Sequence, residues 1–164
     1  MIKHFIDISD LNKDELKSII HFAKKLKTDQ SNYKNLLNQK SLGMIFEKQS
    51  LRTRVSFDIA MQNIGGNVIE LDPNSIGFNG RESTQDIINA LSQYLDCLLI
   101  RNNDHEKIKQ FASYNYLPII NGLSNYSHPC EILSDIFTIE EFKGSIEKLI
   151  ITWCGDINNV SIAL

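Results

Sequence analysis

The sequence predicts an α/β fold: a doubly wound parallel sheet of four or five strands with helices on both faces, plus the first strand of a truncated second α/β domain. Three observations carry that expectation. From Ser41 onward, short apolar runs alternate with helix-length segments, the pattern of successive βαβ units. The segment after the first apolar run repeats apolar residues at helical spacing, through Val55, Ile59, Ala60, Met61 and Ile64. Arginines stand where apolar runs hand over to loops and helices, which is where open α/β sheets bind ligands.

Taken in order, residues 11–27 read as an amphipathic helix. Asn12 and Glu15 are spaced as a capping box, and Leu16, Ile19, Ile20, Ala23 and Leu26 form the buried stripe. Residues 33–37 suggest a short second helix. Strands are expected at 42–46, 67–71, 97–101, 117–120 and 149–153, with helices at 53–64, 84–95, 104–114 and 129–142. Gly65-Gly66 is a helix stop before the second strand, and residues 72–80 form a long loop rich in turn residues. The last strand, a turn at 155–159 and a helical turn from Val160 cannot bury an apolar face of their own. Domains are therefore expected at 1–144 and 145–164, the second incomplete. Cys130 and Trp153 are expected in the core, and Cys97 opens a buried strand.

Only four of the 17 basic residues are Arg, so Lys is the default surface cation and Arg52, Arg54, Arg81 and Arg101 mark special positions. Arg52 and Arg54 belong to Ser50-Leu51-Arg52-Thr53-Arg54, at a helix start. A helix start offers unpaired N–H groups and the positive dipole end, and Arg adds a planar fork that matches phosphate or carboxylate oxygens. The alternative is a plain cap at Ser50 with two solvated arginines. Arg101 ends a strand; Arg81 lies in the long polar loop region. A net charge of −3 without a basic block gives no support for nucleic-acid binding. No apolar run approaches the ~20 residues of a membrane span, and the N-terminus lacks the layout of a secretory signal. Cys97, Cys130 and Cys154 contain no Cys-x-x-Cys pair, which suits a reduced cytoplasm and no metal site. His4, His21 and His105 join no cluster of ligand or catalytic type and are expected to carry no chemistry.

Phe46-Glu47-Lys48-Gln49-Ser50-Leu51-Arg52-Thr53-Arg54 resembles the carbamoyl-phosphate motif of the aspartate/ornithine carbamoyltransferase family. Asn121-Gly122-Leu123 with His128-Pro129-Cys130-Glu131 resembles that family's second signature, and Gly155-Asp156-Ile157-Asn158-Asn159 its third. The three stand in family order, and Phe46-Glu47-Lys48 leans towards the ornithine branch. The resemblance implies carbamoyl transfer from carbamoyl phosphate to the side-chain amine of ornithine, giving citrulline and phosphate, with no metal or other cofactor. It implies that Ser50, Arg52 and Thr53, with the backbone N–H of Leu51, cradle the phosphate. Arg101 would bridge a phosphate oxygen and the carbonyl oxygen, and His128 would donate to that carbonyl oxygen. Glu131 stands where the family accepts from the carbamoyl NH2, and Asn159 matches a position that binds the amino-acid substrate. Arg81 is the candidate for reaching a neighbouring subunit's site in a homotrimer or a multiple of trimers. Arg54 is expected to pair with an acid such as Glu47 and to support the site structurally.

Three positions depart from the family: Leu51 in place of Thr, Glu131 in place of Gln, and Ile157 in place of Gly. Relatives carry a whole amino-acid-binding domain beyond this point, so the chain alone is not expected to turn over. Two other readings stay open. One is an aspartate-type enzyme; the other is a non-catalytic carbamoyl-phosphate-binding or decayed chain, which Leu51 and Glu131 favour.

Overall fold

The structure, a computed structural model, describes residues 2–78, 80 and 82–163. Among the described residues four parallel strands form one sheet: β1 (Ser41–Phe46), β2 (Asn67–Leu71), β3 (Cys97–Arg101) and β4 (Ile119–Leu123). Helix α1 (Lys13–Thr28) precedes the sheet. Helices α2 (Leu51–Asn63), α3 (Thr84–Ser92) and α4 (His105–Ser113) connect the strands, and α5 (Pro129–Lys143) and α6 (Asn159–Ala163) follow.

The spatial order is β2-β1-β3-β4. The chain therefore leaves β1 towards one edge and leaves β3 towards the other. Adjacent strands whose connections diverge open a crevice at their carboxyl ends. Side-chain alternation along the strands fills both faces. Leu42, Met44, Phe46 and Leu99 pack with Phe57 and Met61 of α2. Ile45, Leu98, Ile100 and Ile119 pack with Ile87 and Ile88 of α3 and with Ile108 and Phe111 of α4. This is the doubly wound arrangement the sequence predicts, with α2 on one face and α3 and α4 on the other.

Local chemistry explains most element ends. Asn12 caps α1 by accepting from the N–H groups of Asp14 and Glu15, as its capping-box spacing requires. Gly65 stops α2 at φ +86, and a Cβ there would lie 2.4 Å from the Lys34 carbonyl oxygen. Asp72 shapes the long loop by accepting from the Ser75 hydroxyl at 2.7 Å and the Ser75 N–H at 3.2 Å. β4 starts two positions later than the pattern suggests, because Pro118 has no N–H for the ladder. It ends in a bulge: Ile100 pairs with Asn121 and Arg101 with Leu123, leaving Gly122 as the extra residue.

Three expectations fail. Residues 33–37 form no helix; the local structure is a 3-10 turn at Gln30–Tyr33, where the Asp29 side chain accepts from Ser31 and Asn32 and competes with helical bonding. Residues 149–153 form no strand. A strand needs a neighbour, and beside β4 Phe5 already bonds, its N–H to Ile119 O and its carbonyl to Asn121 N, both at 2.8 Å. Trp153, expected in the core, is 46% exposed, and its indole N–H donates to the Asp156 carbonyl at 3.1 Å.

Candidate active site

The crevice between β1 and β3 holds a cavity of about 520 Å³. Residues 47–49 carry the chain from β1 into α2, so the first turn of α2 faces the carboxyl end of β3. Ser50 is the N-cap in extended conformation, but its hydroxyl caps no backbone N–H and has no hydrogen-bond partner among the described residues. The opening N–H groups of the helix have no intrahelical acceptors. Ser50, Leu51, Arg52, Thr53, Arg101, His128 and Glu131 all line this one cavity. The sequence separates them by up to 81 positions; the switch in strand order brings them together.

The electrostatics suit an anion. Arg101 donates from Nη1 to Thr53 Oγ1 at 3.3 Å, and its buried Nε has no partner among the described residues. Burial lowers the Arg101 pKa, as does the charge of Arg52, while Glu131 partly offsets them. Two guanidinium groups therefore crowd a helix N-terminus, with a donor left over. A buried polar atom without a partner calls for an explanation, and an anion drawn to the guanidinium groups would supply one.

His128 is the N-cap of α5, with Pro129 in the first helical turn. Only 7% of it is exposed. Burial, then the charge of Arg101, pushes its pKa down to about 4. At pH 7 the ring is neutral, and one nitrogen carries a proton to donate. Its Nδ1 is buried without a partner among the described residues, and Nε2 lies 3.5 Å from Glu131 Oε2, too long for a good hydrogen bond. An NMR titration of the ring is expected to show a midpoint near 4; a midpoint between about 6 and 7 would contradict the buried geometry. The sign for stability follows. The unfolded chain takes up this proton near the ordinary histidine value and the folded chain only near 4, so stability falls as pH drops through that window.

Other residues are placed differently from expectation. Arg54 pairs with Glu70 of β2 (Nη2 to Oε1, 2.8 Å), not with Glu47, and its guanidinium lies 5.3 Å from the Phe46 ring centroid. Helix α2 packs over β2, which turns that flank of its first turn towards Glu70 and away from the cavity. Glu47 is outside the cavity lining. Asn159 does not line the cavity either; its side-chain amide donates to the Ser124 carbonyl at 2.7 Å, and Val160 is the residue of α6 that reaches the lining. Ile157 is 84% exposed. Arg81 lies outside the described residues. Cys130, expected in the core, is only half-buried and lines the cavity; burial pushes its thiol up to about 12, so it is no nucleophile at neutral pH. Among the described residues no group of His, Cys, Asp or Glu is placed to hold a metal ion.

The sequence reading passed over Ser56 and Ser134, which also line the cavity while their hydroxyls donate to the Thr53 and Cys130 carbonyls. Each stands three residues beyond a named site residue, Thr53 and Glu131, so each is one helical turn along the same face. That spacing was a usable signal.

Comparison with known proteins agrees with this geometry. Residues 3–141 match the family described as aspartate/ornithine carbamoyltransferase, carbamoyl-P binding domain. An ornithine carbamoyltransferase of Archaeoglobus fulgidus is 41% identical over 163 residues, spanning 97% of this chain and 52% of that protein. The solved ornithine carbamoyltransferase of Pyrococcus furiosus superposes with a TM-score of 0.93 at 37% identity, over 98% of this chain and 52% of that one. That of Burkholderia thailandensis gives a TM-score of 0.92 at 32% identity, over 99% and 57%. The chain thus spans about half the length of the curated relatives it matches. By sequence over most of its length, and by the fold that gathers its first two signatures at one cavity, the chain belongs to the aspartate/ornithine carbamoyltransferase family.

Proposed function

We propose that residues 1–144 bind carbamoyl phosphate, and that the whole protein transfers the carbamoyl group to the side-chain amine of ornithine, releasing citrulline and phosphate. The observation that carries this reading is the convergence of the α2 N-terminus, Arg52, Arg101 and a neutral His128 on one cavity. The phosphate would rest at the helix start, held by Arg52, the Ser50 and Thr53 hydroxyls and the free N–H groups. Arg101 reaches both a phosphate oxygen and the carbonyl oxygen, and His128 donates to the latter.

The amine nitrogen then attacks the carbonyl carbon. Negative charge grows on the carbonyl oxygen, against Arg101 and the His128 N–H. The C–O bond to the phosphate breaks, phosphate leaves with the electron pair, and the proton lost by the amine passes to the departing phosphate. A donor aimed at such an oxygen is worth about 3 kcal/mol of barrier. A neutral imidazole is suited to this, since it donates without attracting the phosphate away from the helix start.

Residues 145–164 we assign to the beginning of an amino-acid-binding unit. Its support is the exposure of Ile150 (96%) and Ile157 (84%), apolar surface that a further unit would cover. Turnover is expected to need that unit. The names of the relatives favour ornithine over aspartate as acceptor. A homotrimer, or a multiple of trimers, is supported by the outer face of α2, where Leu51 (78% exposed), Val55 (49%) and Ile59 (49%) form a stripe at successive turns. A cytoplasmic setting is supported by three free thiols, and among the described residues no helix is long and apolar enough to cross a membrane.

One observation favours a second reading, a carbamoyl-phosphate binder without turnover: the Glu131 carboxylate lines the cavity where an anion would sit. Calorimetric titration of the chain with carbamoyl phosphate, beside Arg52→Ala, tests the binding common to both. Saturable binding is expected, weakened about tenfold by the substitution, as the loss of one partly solvated charged hydrogen bond implies. A folded chain that shows no saturable binding would sink both readings.

A further inference from the structure

Behind the cavity, the loop from β4 to α5 is tied by polar side chains that do not line it. Ser124, Ser127 and Asn121 are fully buried, and His105, the first residue of α4, is 8% exposed. Ser124 Oγ lies 2.8 Å from His105 Nδ1, 3.0 Å from Ser127 N, 3.3 Å from Tyr126 N and 3.2 Å from Ser127 O. A hydroxyl has one proton and two lone pairs. Asn121 Nδ2 also lies 3.5 Å from Oγ but has closer acceptors in Ile6 O and Ser127 O. The two backbone N–H groups therefore take the lone pairs, and the proton goes either to His105 or to the Ser127 carbonyl. That carbonyl already receives Asn121 Nδ2 at 3.2 Å and Ser124 N at 2.9 Å. The arrangement that overfills neither Ser124 Oγ nor the Ser127 carbonyl has Ser124 donating to Nδ1 of a neutral His105 whose proton is on Nε2.

Both backbone polar groups of Ser127 are thereby held, and Ser127 directly precedes His128. Asn121 braces the same loop: Nδ2 also donates to Ile6 O at 2.9 Å, and Oδ1 accepts from Leu123 N at 3.0 Å. The Ser124 carbonyl in turn receives Asn159 at 2.7 Å, so one residue joins the second signature to the third.

We propose that His105 and Ser124 are a positioning pair that sets where His128 stands in the cavity. The proposal builds on the reading of the cavity as a carbamoyl-phosphate site, and it gives His105 a role the sequence did not show. The accepting Nδ1 requires the neutral ring. A protonated His105 would send a third proton at Ser124 Oγ and drive the serine's own proton onto a carbonyl already in use. The charged groups facing His105 are Asp7, Asp10, Glu106 and Lys109, with the Tyr126 ring 5.0 Å away. Burial and Lys109 favour the neutral form, while the three acids oppose it.

The test compares His105→Phe, which removes the acceptor, with His105→Asn, which keeps one near the Nδ1 position, and with Ser124→Ala. The His128 titration by NMR is read without any ligand, and calorimetry with carbamoyl phosphate is read beside it. In folded His105→Phe or Ser124→Ala protein, the His128 midpoint is expected to move from near 4 towards the ordinary histidine value, and affinity to fall about tenfold. His105→Asn is expected to restore both. A His128 midpoint unmoved in whichever of the two disruptive variants folds would overturn the proposal. If the midpoint moves while the parent chain binds no carbamoyl phosphate, the positioning pair stands and the reading of the cavity fails.

Discussion

Replacing Arg101 with alanine is expected to weaken carbamoyl phosphate binding about a hundredfold or more, with the melting temperature unchanged or raised. The guanidinium group is held by one 3.3 Å hydrogen bond to Thr53, and its Nε is buried without a partner among the described residues. It also repels Arg52, which shares the same helix start. In the unliganded chain Arg101 is thus a source of local strain. With an anion present it makes two charge-assisted hydrogen bonds, each worth about 1.5–3 kcal/mol. Calorimetry and a thermal melt on the same preparations separate the two effects. Lost binding together with a large drop in melting temperature would instead make Arg101 part of the scaffold.

Glu131→Gln is expected to act in the opposite direction, tightening carbamoyl phosphate binding about thirtyfold at low salt. Two unit charges about 4 Å apart at an effective dielectric of ~20 repel by about 4 kcal/mol. The Glu131 side chain is 53% exposed, so screening cuts that to about 2 kcal/mol. Glutamine keeps a carbonyl oxygen able to accept from the ligand's NH2 and removes only the charge. The gain should shrink as salt rises, because the repulsion runs partly through solvent. An affinity in Glu131→Gln equal to the parent's at low salt would show that this carboxylate turns away from the bound anion. The reading of the chain as a weakened or decayed binder would then rest on Leu51 and lose its electrostatic basis.

The site was legible as a set of residues and only partly as a geometry. Ser50, Arg52 and Thr53 could be placed together because a helix start is local: positions 50 to 53 share one turn. Arg101 could be placed near them because a parallel sheet aligns the carboxyl ends of its strands. His128 entered through a resemblance, since no local rule ties position 128 to position 50. The partner of Arg54 was misjudged for a related reason. Glu47 is near in sequence, whereas Glu70 becomes near only when α2 lies across β2.

The same division holds for the fold. By itself the sequence determined β2 and β3 to the residue, the approximate positions of α1 to α5, and the alternation that makes the sheet parallel. Those features rest on apolar period, capping and turn chemistry within about ten residues of chain. Tertiary structure alone decided that residues 149–153 form no strand, that Asn159 docks on Ser124, and that His105 holds the loop before His128. It also decided that a solitary histidine is held neutral by burial beside Arg101. Strand pairing, desolvation and the hydrogen-bond count of a buried hydroxyl all depend on neighbours far away in sequence, and these are set only when the chain folds.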